Sequence, residues 1–452
     1  MATVSYGVTI KNHDRVFDKT MEIYRAAVSY LTDIALRNYD ELLSLQASGK
    51  ASLQQTRRAY MENLIHTTKG HAAKYFVFDE RFYKFPSYLR RDAINMAVGK
   101  AFSYRSMLKN WEASGRHGRK PFLNRTQDVM PCLYRGNTFI QNGSSAMIKI
   151  YNGHDWIWLH TELRETDLRY IRRNVSDWKE SAPVLTKRHH KYELRFAYTK
   201  SGKTLPHYVK DNDADTVIGV DLGVNTDAVC SVVHSDGTVT GEMFINSPVE
   251  KDRMDGLLNT IKKAQQHGNF RNHRLWRYVD HYNTAIAKKT ASEIVSFAIE
   301  HHAQVIVFEY LKMNGKRRGS KKQRLSLWRK REIQRRTEAL ASRFGIRVTH
   351  ICAVNTSRLA YDGSGKVLRG TDAGFKNQKL CVFQNGKIYN CDLSASKNIG
   401  ARYFIRVLLK SMSAKTSLLV QAKVPELCRR ANSTLATLIS CYAEYYTIKT
   451  VA

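Results

Sequence analysis

Hydrophobic residues in the first quarter of the chain recur every three or four positions, which is the spacing of an amphipathic helix. After a short strand-like start at residues 4–11, this pattern predicts helices over residues 20–45 and 53–69. A further helix is expected after Pro86, with Ser87 as its N-cap. Its apolar stripe consists of Leu89, Ala93, Ala97, Ala101 and Met107. We therefore expect a helical domain whose apolar stripes form its core.

The pattern changes at the run SGRHGRKPF, where glycine and proline end the last of these helices. Between residues 124 and 211, short runs alternate between apolar and polar residues, as in AMIKIYNG, WIWLH and YELRFAYTK. Alternation with a period of two predicts β-strands, here those of a small barrel or sandwich. The polar run DNDAD then separates this part from the rest of the chain.

The last part of the chain alternates between strands and helices. A buried strand ends at Asp221, and two more strands follow it before a long polar helical stretch over residues 254–299. A second apolar strand ends at Glu309, a basic helix leads to a strand at residues 346–351, and a last helix begins near Asp392. Three strands, helix, strand, helix, strand and helix is the order of an RNase H-like fold.

Three carboxylates occupy matching places in this order. The first and fourth strands of such a sheet are parallel neighbours, so Asp221 and Glu309 should lie at adjoining strand ends, with Asp392 beside them. Converging carboxylates repel one another unless a cation lies between them, and hard oxygen ligands favour Mg²⁺, for which Mn²⁺ can substitute. Two such ions about 4 Å apart would activate a water and stabilise the departing 3′-oxygen in phosphodiester hydrolysis. Alternatively, Asp221 is a turn residue and Asp392 only a helix cap.

The charge of the chain indicates a polyanionic partner. Among 452 residues, 73 are Lys or Arg and 40 are Asp or Glu, which gives a net charge of +33. Nucleic acid can neutralise such a charge across several faces of a multidomain protein. The sequence has no run of roughly 18 apolar residues that would indicate a membrane span, and its seven scattered cysteines do not form a disulfide framework. We expect a cytoplasmic protein.

Three strings around the carboxylates resemble the RuvC motifs of the transposon-encoded TnpB nucleases and of the compact type V CRISPR effectors that share these motifs. The strings are GVDLGVNT at residues 219–226, VIVFEYL at 305–311 and NCDLSASKNIGARYF at 390–404. A further string, FPSYLRRDAINMAVGKAFSYRSMLKNW followed by GRKPFLNR, resembles the helical recognition segment that leads into the wedge domain of this family.

The resemblance implies an RNA-guided DNA endonuclease with a multidomain α+β fold. A guide RNA with a structured scaffold would pair with target double-stranded DNA beside a short motif that the protein reads, with one protein chain for each RNA. Asp221, Glu309 and Asp392 would be the catalytic triad that binds two Mg²⁺ ions. Such a protein is expected near the nucleoid of a prokaryotic cell, without contact with a membrane.

The implied domain order is a divided wedge β-barrel with an inserted helical recognition domain, followed by a RuvC (RNase H-like) α/β nuclease domain. The expected boundaries are residues 1–12 for the first part of the wedge, 13–118 for the recognition domain, 119–212 for the second part of the wedge and 213–452 for the nuclease domain. Within the nuclease domain, a lid insertion is expected at residues 355–391 and a helical tail at residues 410–452.

The family often has a zinc ribbon with two CxxC pairs between the second and third motifs. Residues 355–391 of this chain contain only Cys381 and Cys391 and no histidine. Because two thiols cannot complete a tetrahedral four-ligand site, we expect a degenerate ribbon, replaced by a hairpin and lid, without zinc.

Basic residues are concentrated after the second motif. Residues 312–336 contain twelve Lys or Arg and one acid. A solvated helix face is one interpretation, but contact with nucleic acid is favoured because a basic surface beside a metal site concentrates a polyanion. From this segment and the helical part, the expected contacts are Arg90, Arg91, Lys100, Arg116, Lys120, Lys316, Arg317, Arg318, Lys321, Lys322, Arg324 and Arg329.

Two alternative functions remain open on the sequence. One is an RNA-guided DNA-binding protein, or repressor, with little or no cleavage, against which the complete acidic triad argues. The other is an unguided RNase H-like nuclease such as a junction resolvase. About 210 residues precede the RNase H-like part, and a bare resolvase would not need them.

Overall fold

The computed structural model of the chain describes residues 2–11, 15–47, 49–188, 190–210, 213–310, 327–376 and 379–451. The chain forms two compact units. One, here the N-terminal unit, comprises residues 3–200, and the other, the C-terminal unit, comprises residues 201–452 together with residues 1–2. The boundary thus falls twelve residues before the start expected for the nuclease domain.

The N-terminal unit begins with a strand and continues with helices. The strand is β1 (Ala2–Thr9), and the helices are α1 (Val16–Arg37), α2 (Tyr39–Ser44), α3 (Leu53–Ile65), α4 (Val77–Arg81) and α5 (Ser87–Ala113). In α5 the predicted stripe is buried from Leu89 to Ala101, but Met107 is 46% exposed because the helix extends beyond the core there. Ser87 is the first helical residue, and the N-cap position belongs to Pro86.

The second half of this unit is mainly β-structure with one helix. Its elements are β2 (Phe139–Asn142), β3 (Ser145–Tyr151), β4 (Trp156–Glu162), α6 (Glu165–Val175), β5 (Lys179–Glu180), β6 (Val184–Arg188) and β7 (Lys191–Lys200). One sheet has the order β2-β3-β4, and in the other β7 pairs with β1, β5 and β6. A single hydrophobic core joins these strands to the helices α1 to α5. The wedge barrel and the separate recognition domain stay predictions.

A mixed five-stranded sheet organises the C-terminal unit. Its strands are β8 (Thr216–Asp221), β9 (Ala228–His234), β10 (Val239–Ile245), β11 (Val305–Glu309) and β12 (Arg347–Ile351). The order is β10-β9-β8-β11-β12, in which β8, β11 and β12 are parallel and β9 and β10 are antiparallel to their neighbours. The predicted RNase H-like strand order is confirmed.

Helices cover both faces of this sheet. They are α7 (Pro248–Gln266), α8 (His273–Glu300), α9 (Lys330–Ala341), α10 (Cys391–Ser411), α11 (Ala414–Lys423) and α12 (Leu435–Val451). One core lies between the sheet and α8 and α9, and the other lies between the sheet and α10 to α12. The helical stretch expected over residues 254–299 is two helices, because the chain turns at Gly268, whose φ is +80°.

The expected lid region contains a small antiparallel sheet. Its strands are β13 (Leu368–Arg369), β14 (Leu380–Val382) and β15 (Ile388–Asn390). Cys381 and Cys391 are buried beneath it with Ala360 and Phe383. In the described part of the chain, no helix is long and apolar enough to cross a membrane.

Two glycines allow α10 to lie directly against the sheet. A Cβ atom at residue 219 would lie 2.1 Å from the carbonyl oxygen of Ser396 and 2.7 Å from the nitrogen of Gly400. A Cβ atom at residue 400 would lie 2.6 Å from Cγ2 of Val233. The helix backbone therefore touches the strand backbone, and no side chain fits between them.

Replacing Gly219 with alanine should destabilise the C-terminal unit by about 2–4 kcal/mol, because the clash is with backbone that cannot move away. Denaturant unfolding of the purified protein measures this loss. Gly256→Ala is the control, since that glycine lies within α7 with open space around it. The control should raise stability by about 0.5–1 kcal/mol. Equal effects of the two substitutions would contradict the close contact.

Candidate functional site

Asp221 and Glu309 lie next to each other at the ends of two parallel strands. Val220 pairs with Phe308 in the register of β8 and β11, and each carboxylate is the next residue of its strand. Strands β8 and β11 are buried in the centre of the sheet, so both side chains stand on rigid backbone. The predicted placement of these two residues at adjoining strand ends is confirmed.

Asp392 is the second residue of α10, the helix that packs on β8 and β11. The helix is capped by Asn390, whose Oδ1 accepts hydrogen bonds from the backbone nitrogens of Asp392 at 2.9 Å and Leu393 at 3.1 Å. The interpretation of Asp392 as the helix cap is therefore wrong. From residue 391 to residue 405, every side chain except that of Asp392 is buried.

The pKa values of all three carboxylates are raised, and that of Asp221 is affected by the other two. Burial raises the pKa of Asp221 well above its ordinary value, and the negative charges of Glu309 and Asp392 raise it further. Burial also raises the pKa values of Glu309 and Asp392. Neighbouring acids whose pKa values are raised together form a group that a cation would stabilise.

Neighbouring side chains partly compensate this negative charge. The hydroxyl of Thr356 donates a hydrogen bond to Oε1 of Glu309 and lowers its pKa. Nη2 of Arg369, on β13, lies 3.9 Å from Oδ1 of Asp392 and lowers the pKa of that carboxyl. Both residues belong to the segment between the second and third motifs, and no local sequence pattern marks them as partners of the acids.

Arg402 is a second cation near the site, and its role is structural. It is buried, and its charge lowers the pKa of Glu309. Its guanidinium donates at 2.7–2.9 Å to four backbone carbonyls, those of Cys352, Val354, Ala431 and Ser433. The side chain thus fixes the backbone that follows β12 and the backbone that precedes α12.

The donor set fits a hard divalent cation, because it consists of three carboxylates at adjoining positions. Across the described residues, however, no three His, Cys, Asp or Glu side chains are arranged closely enough to hold a metal ion. Here the carboxylates of Glu309 and Asp392 face Thr356 and Arg369 instead. Ion binding would therefore need these side chains to reorient.

Cys381 and Cys391 are both free and buried, and the thiol of Cys381 donates to the carbonyl oxygen of Tyr389 at 3.4 Å. Arg369 lies beside Cys391. The pair therefore packs under the hairpin at the base of the carboxylate site. The expected absence of zinc stays a prediction.

The expected nucleic-acid contacts of the N-terminal unit differ in exposure. Arg90 is only 9% exposed and forms an ion pair with Glu62 at 3.2 Å, so its assignment to phosphate contact is not supported. Arg91 also lies near Glu62, at 3.5 Å, and the Nζ atom of Lys100 donates to two backbone carbonyls. The exposed members of the set are Arg116 and Lys120.

The basic segment after Glu309 is only partly described. Lys316, Arg317, Arg318, Lys321, Lys322 and Arg324 lie outside the described residues. Arg329 forms ion pairs with Asp280 and Glu332. These two acids compensate its positive charge, and its contact with nucleic acid stays a prediction.

The sheet order, with carboxylates at the ends of β8 and β11 and at the start of α10, defines the C-terminal unit as an RNase H-like fold. Comparisons with known proteins extend this assignment. A family model described as the Aq_aa04 family matches residues 2–152. The TnpB-like protein aq_aa05 of Aquifex aeolicus (strain VF5) is 29% identical over 235 residues, which cover 46% of this chain and 74% of that protein.

Solved structures of low sequence identity match most of the chain. The mini-RNA-guided endonuclease CRISPR-Cas phi3 matches 90% of this chain and 92% of its own, with 10% identity and a TM-score of 0.52. The Cas12f1 protein of an sgRNA–target DNA complex matches 88% of this chain and 99% of its own, with 13% identity and a TM-score of 0.34. The chain is thus similar to TnpB-like proteins, as the three motifs predict, and shares its fold with a compact RNA-guided endonuclease.

Asp221→Asn should stabilise the protein in the absence of divalent cations. The pKa of Asp221 is higher in the folded protein than in the unfolded chain, so folding favours the protonated carboxyl. Ionisation of this group therefore lowers the free energy of unfolding, and the loss grows as the pH rises from the unfolded-state pKa to the folded-state pKa. At pH 8 with EDTA, the melting temperature should rise by about 2–4 °C for each kcal/mol of repulsion removed. Added Mg²⁺ should stabilise the wild type more than the variant.

Asp236→Asn is the matched control for this measurement. Hydrogen bonds from Thr238 lower the pKa of Asp236, so its charge is favourable in the folded state. Its replacement should leave the melting temperature unchanged or lower it. A lower melting temperature of Asp221→Asn in EDTA would contradict the proposed repulsion.

Proposed function

We propose that this chain is an RNA-guided DNA endonuclease whose Asp221, Glu309 and Asp392 bind the metal ions for phosphodiester hydrolysis. The observation that supports this most directly is the placement of three carboxylates at adjoining positions of an RNase H-like sheet, with their pKa values raised. The similar proteins add support, because one is named a TnpB-like protein and another an RNA-guided endonuclease.

In the proposed site, the backbone fixes the positions of the three carboxylates that would bind the metal ions. Asp221 and Glu309 are fixed by the parallel strands, and Asp392 is fixed by the first turn of α10. Mg²⁺ bound there would supply activation of water and stabilisation of the departing 3′-oxygen. Thr356 orients Glu309 through its hydroxyl, and Arg369 is placed to contact a phosphate once Asp392 binds a cation.

The charge of the protein supports the proposed partners. A structured RNA of roughly a hundred nucleotides, with one negative charge for each nucleotide, would more than neutralise the net charge of +33. We propose that guide pairing selects the target DNA and that the protein reads a short adjacent motif. The N-terminal unit has its own core of helices and strands, which an unguided resolvase would not need.

Replacing Asp221, Glu309 or Asp392 with alanine should lower the rate of Mg²⁺-dependent DNA cleavage by about 100-fold or more, because each change removes a metal ligand. Thr356→Val should lower it by about 10-fold, since it removes only the hydrogen bond that orients Glu309. Cleavage of a guide-matched plasmid is the measurement. RNA binding, measured in parallel, should be retained in all four variants.

The control for this series is Asp372→Ala, which removes an acid of the lid region outside the proposed triad. It should cleave at close to the wild-type rate. Wild-type cleavage by Glu309→Ala would overturn the assignment of the triad. Guide-dependent DNA binding by the wild-type protein without any cleavage would favour the repressor-like alternative.

Expressed with its native flanking DNA, the protein should co-purify with one discrete RNA species, because a single structured scaffold would neutralise its charge. That RNA should end in a segment of about 20 nucleotides able to pair with DNA. Sequencing of the bound RNA and the mass of the complex in solution are the measurements. A heterogeneous RNA mixture bound to a protein dimer would favour the unguided nuclease.

A further inference from the structure

Helices α7 and α8 form a hairpin that starts beside the candidate site. Lys251, in the first turn of α7, forms an ion pair with Asp227 at 2.7 Å and donates to the carbonyl of Asn225 at 2.7 Å. Helix α7 therefore begins at the loop that leads from Asp221 to β9. Because α7 has 19 residues, its other end lies about 28 Å from this start.

The hairpin extends past the edge of the sheet at which the carboxylates lie. Ile286, in the middle of α8, lines a cavity together with Val224 of the same loop. The α8 residues of the core on the sheet begin at Ala287. Leu275 and Val279 instead share a small separate core with α7. The first half of α8 and the second half of α7 thus extend beyond the sheet on the side of the candidate site.

The projecting end of the hairpin, here called the hairpin tip, is basic. It comprises residues 256–279, which contain five Lys or Arg, two His and no Asp or Glu. Its three arginines are Arg271, Arg274 and Arg277, and all three are exposed. Within the described ranges of the chain, none of these guanidinium groups has an ion-pair or hydrogen-bond partner. The hairpin tip is therefore complementary in charge to a polyanion.

Three aromatic side chains lie among these arginines. Phe270 is 72% exposed, Tyr278 46% and Trp276 36%. Among the residues that the structure describes, none of the three rings has an aromatic neighbour or belongs to a hydrophobic core. Each ring is next to an arginine in the sequence, Phe270 to Arg271 and the other two to Arg277. Their apolar surfaces are open to a ligand.

The turn that carries Phe270 and Arg271 is fixed by local hydrogen bonds. The side chain of Asn269 accepts from the backbone nitrogen of Arg271 at 3.1 Å. The side chain of Asn272, which is buried, donates to the carbonyl of Asn269 at 2.8 Å. The backbone under these side chains is therefore ordered before a ligand binds, which lowers the entropy cost of binding.

The arrangement of the rings disfavours a membrane or an apolar protein surface as the partner. Successive residues of an α-helix are about 100° apart, so Trp276 and Tyr278 lie on nearly opposite sides of α8. Arg274 lies one turn before Tyr278, on the same side. Helices that bind a membrane or an apolar groove collect their apolar side chains on one face. Separate rings among arginines instead suit a strand whose bases stack and whose phosphates bind cations.

We propose that the hairpin tip binds an unpaired stretch of the DNA strand that the candidate site would cleave. Its bases stack on the exposed rings, and its phosphates contact Arg271, Arg274 and Arg277. The strand is unpaired because the bases of a duplex stack on one another and leave no face for the rings. Stacking of this kind accepts every base, so the hairpin tip positions the strand without reading its sequence.

This inference rests on the proposed function, because the strand is the substrate of the proposed nuclease. The hairpin tip lies on the carboxylate side of the sheet, so a strand that leaves the candidate site along α7 reaches it after about 28 Å. Binding there needs neither a metal ion nor cleavage. The two proposals can therefore be tested separately.

The test is photocrosslinking of the full-length protein in EDTA. The probe is a ten-nucleotide thymidine strand with one 5-iododeoxyuridine in its centre, because this base crosslinks to aromatic side chains on which it stacks. Crosslinks should map to Phe270, Trp276 or Tyr278, which trypsin separates into three peptides. The unlabelled strand should suppress them at about 10-fold lower concentration than the same strand in a duplex, since stacking of one base gives a factor of this size.

Arg274→Ala should reduce crosslinking at these rings by about 5-fold or more at a probe concentration below saturation, because it removes a phosphate contact without removing a ring. It should also lower the salt dependence of half-maximal crosslinking by about 0.7 in the log–log slope. Arg274→Lys keeps the charge and should stay close to the wild type in this slope.

Phe270→Ala should reduce crosslinking at the peptide of Tyr278, since a strand that loses one stacking ring is bound more weakly at the next. Phe244→Ala is the matched control. Phe244 is an exposed ring on β10 without a basic neighbour in the sequence, and its replacement should leave the crosslinks unchanged. The substituted side chains are exposed, and the melting temperature of each variant shows that it is folded.

Four results would overturn the proposal. They are crosslinks that map elsewhere, equal competition by the duplex, unchanged crosslinking in a folded Arg274→Ala variant, and stronger competition by a ten-nucleotide uridine RNA strand than by the DNA strand. The last would assign the hairpin tip to RNA. Guided cleavage together with any of these results would overturn only the strand site. Mapped crosslinks without any DNA cleavage would overturn the nuclease and leave the hairpin tip as a site for single-stranded DNA.

Discussion

The close backbone contact between β8 and α10 is the constraint on which the candidate site depends. Gly400 lies near Val217, and Gly219 lies against the carbonyl of Ser396, so the helix runs antiparallel to the strand. Asp221 lies two residues after Gly219 in the strand, and Asp392 lies about one helical turn before Ser396 in the helix. Each step is about 6 Å in the same direction. A side chain at either glycine would separate strand from helix and move the two carboxylates apart.

The site is built at the expense of local stability. Buried acids with raised pKa values are unfavourable without a cation, and the surrounding fold compensates them only in part. Thr356 forms one hydrogen bond with Glu309, and Arg369 forms one ion pair with Asp392. Each of these interactions can be replaced by another, whereas Arg402 donates to four carbonyls. The first two can respond to ion or phosphate binding, and the third keeps the framework fixed while they do so.

The amino-acid sequence allowed the central sheet and its three carboxylates to be predicted, because an apolar strand that ends in an acid is an unusual and local pattern. The partners of those acids could not be predicted. Arg369 is 23 residues from Asp392 in the chain and approaches it only through the hairpin. Arg90 belongs to a basic stretch that predicts phosphate contact, but it is buried against Glu62. Such pairings depend on tertiary packing, which leaves no periodic pattern of residues in the neighbouring sequence. The cap Asn390 is different, because its hydrogen bonds to Asp392 and Leu393 are local and an asparagine at this position is a typical helix N-cap.

The hydrogen bonds of Arg402 also limit how this protein can be shortened. Two of its four acceptors, the carbonyls of Ala431 and Ser433, belong to the last 22 residues of the chain. A truncation before them would leave a buried guanidinium with unmet donors close to Glu309. The C-terminal segment is therefore part of the support of the site, and a minimised version for delivery would have to retain it or replace Arg402 with an apolar residue of similar volume.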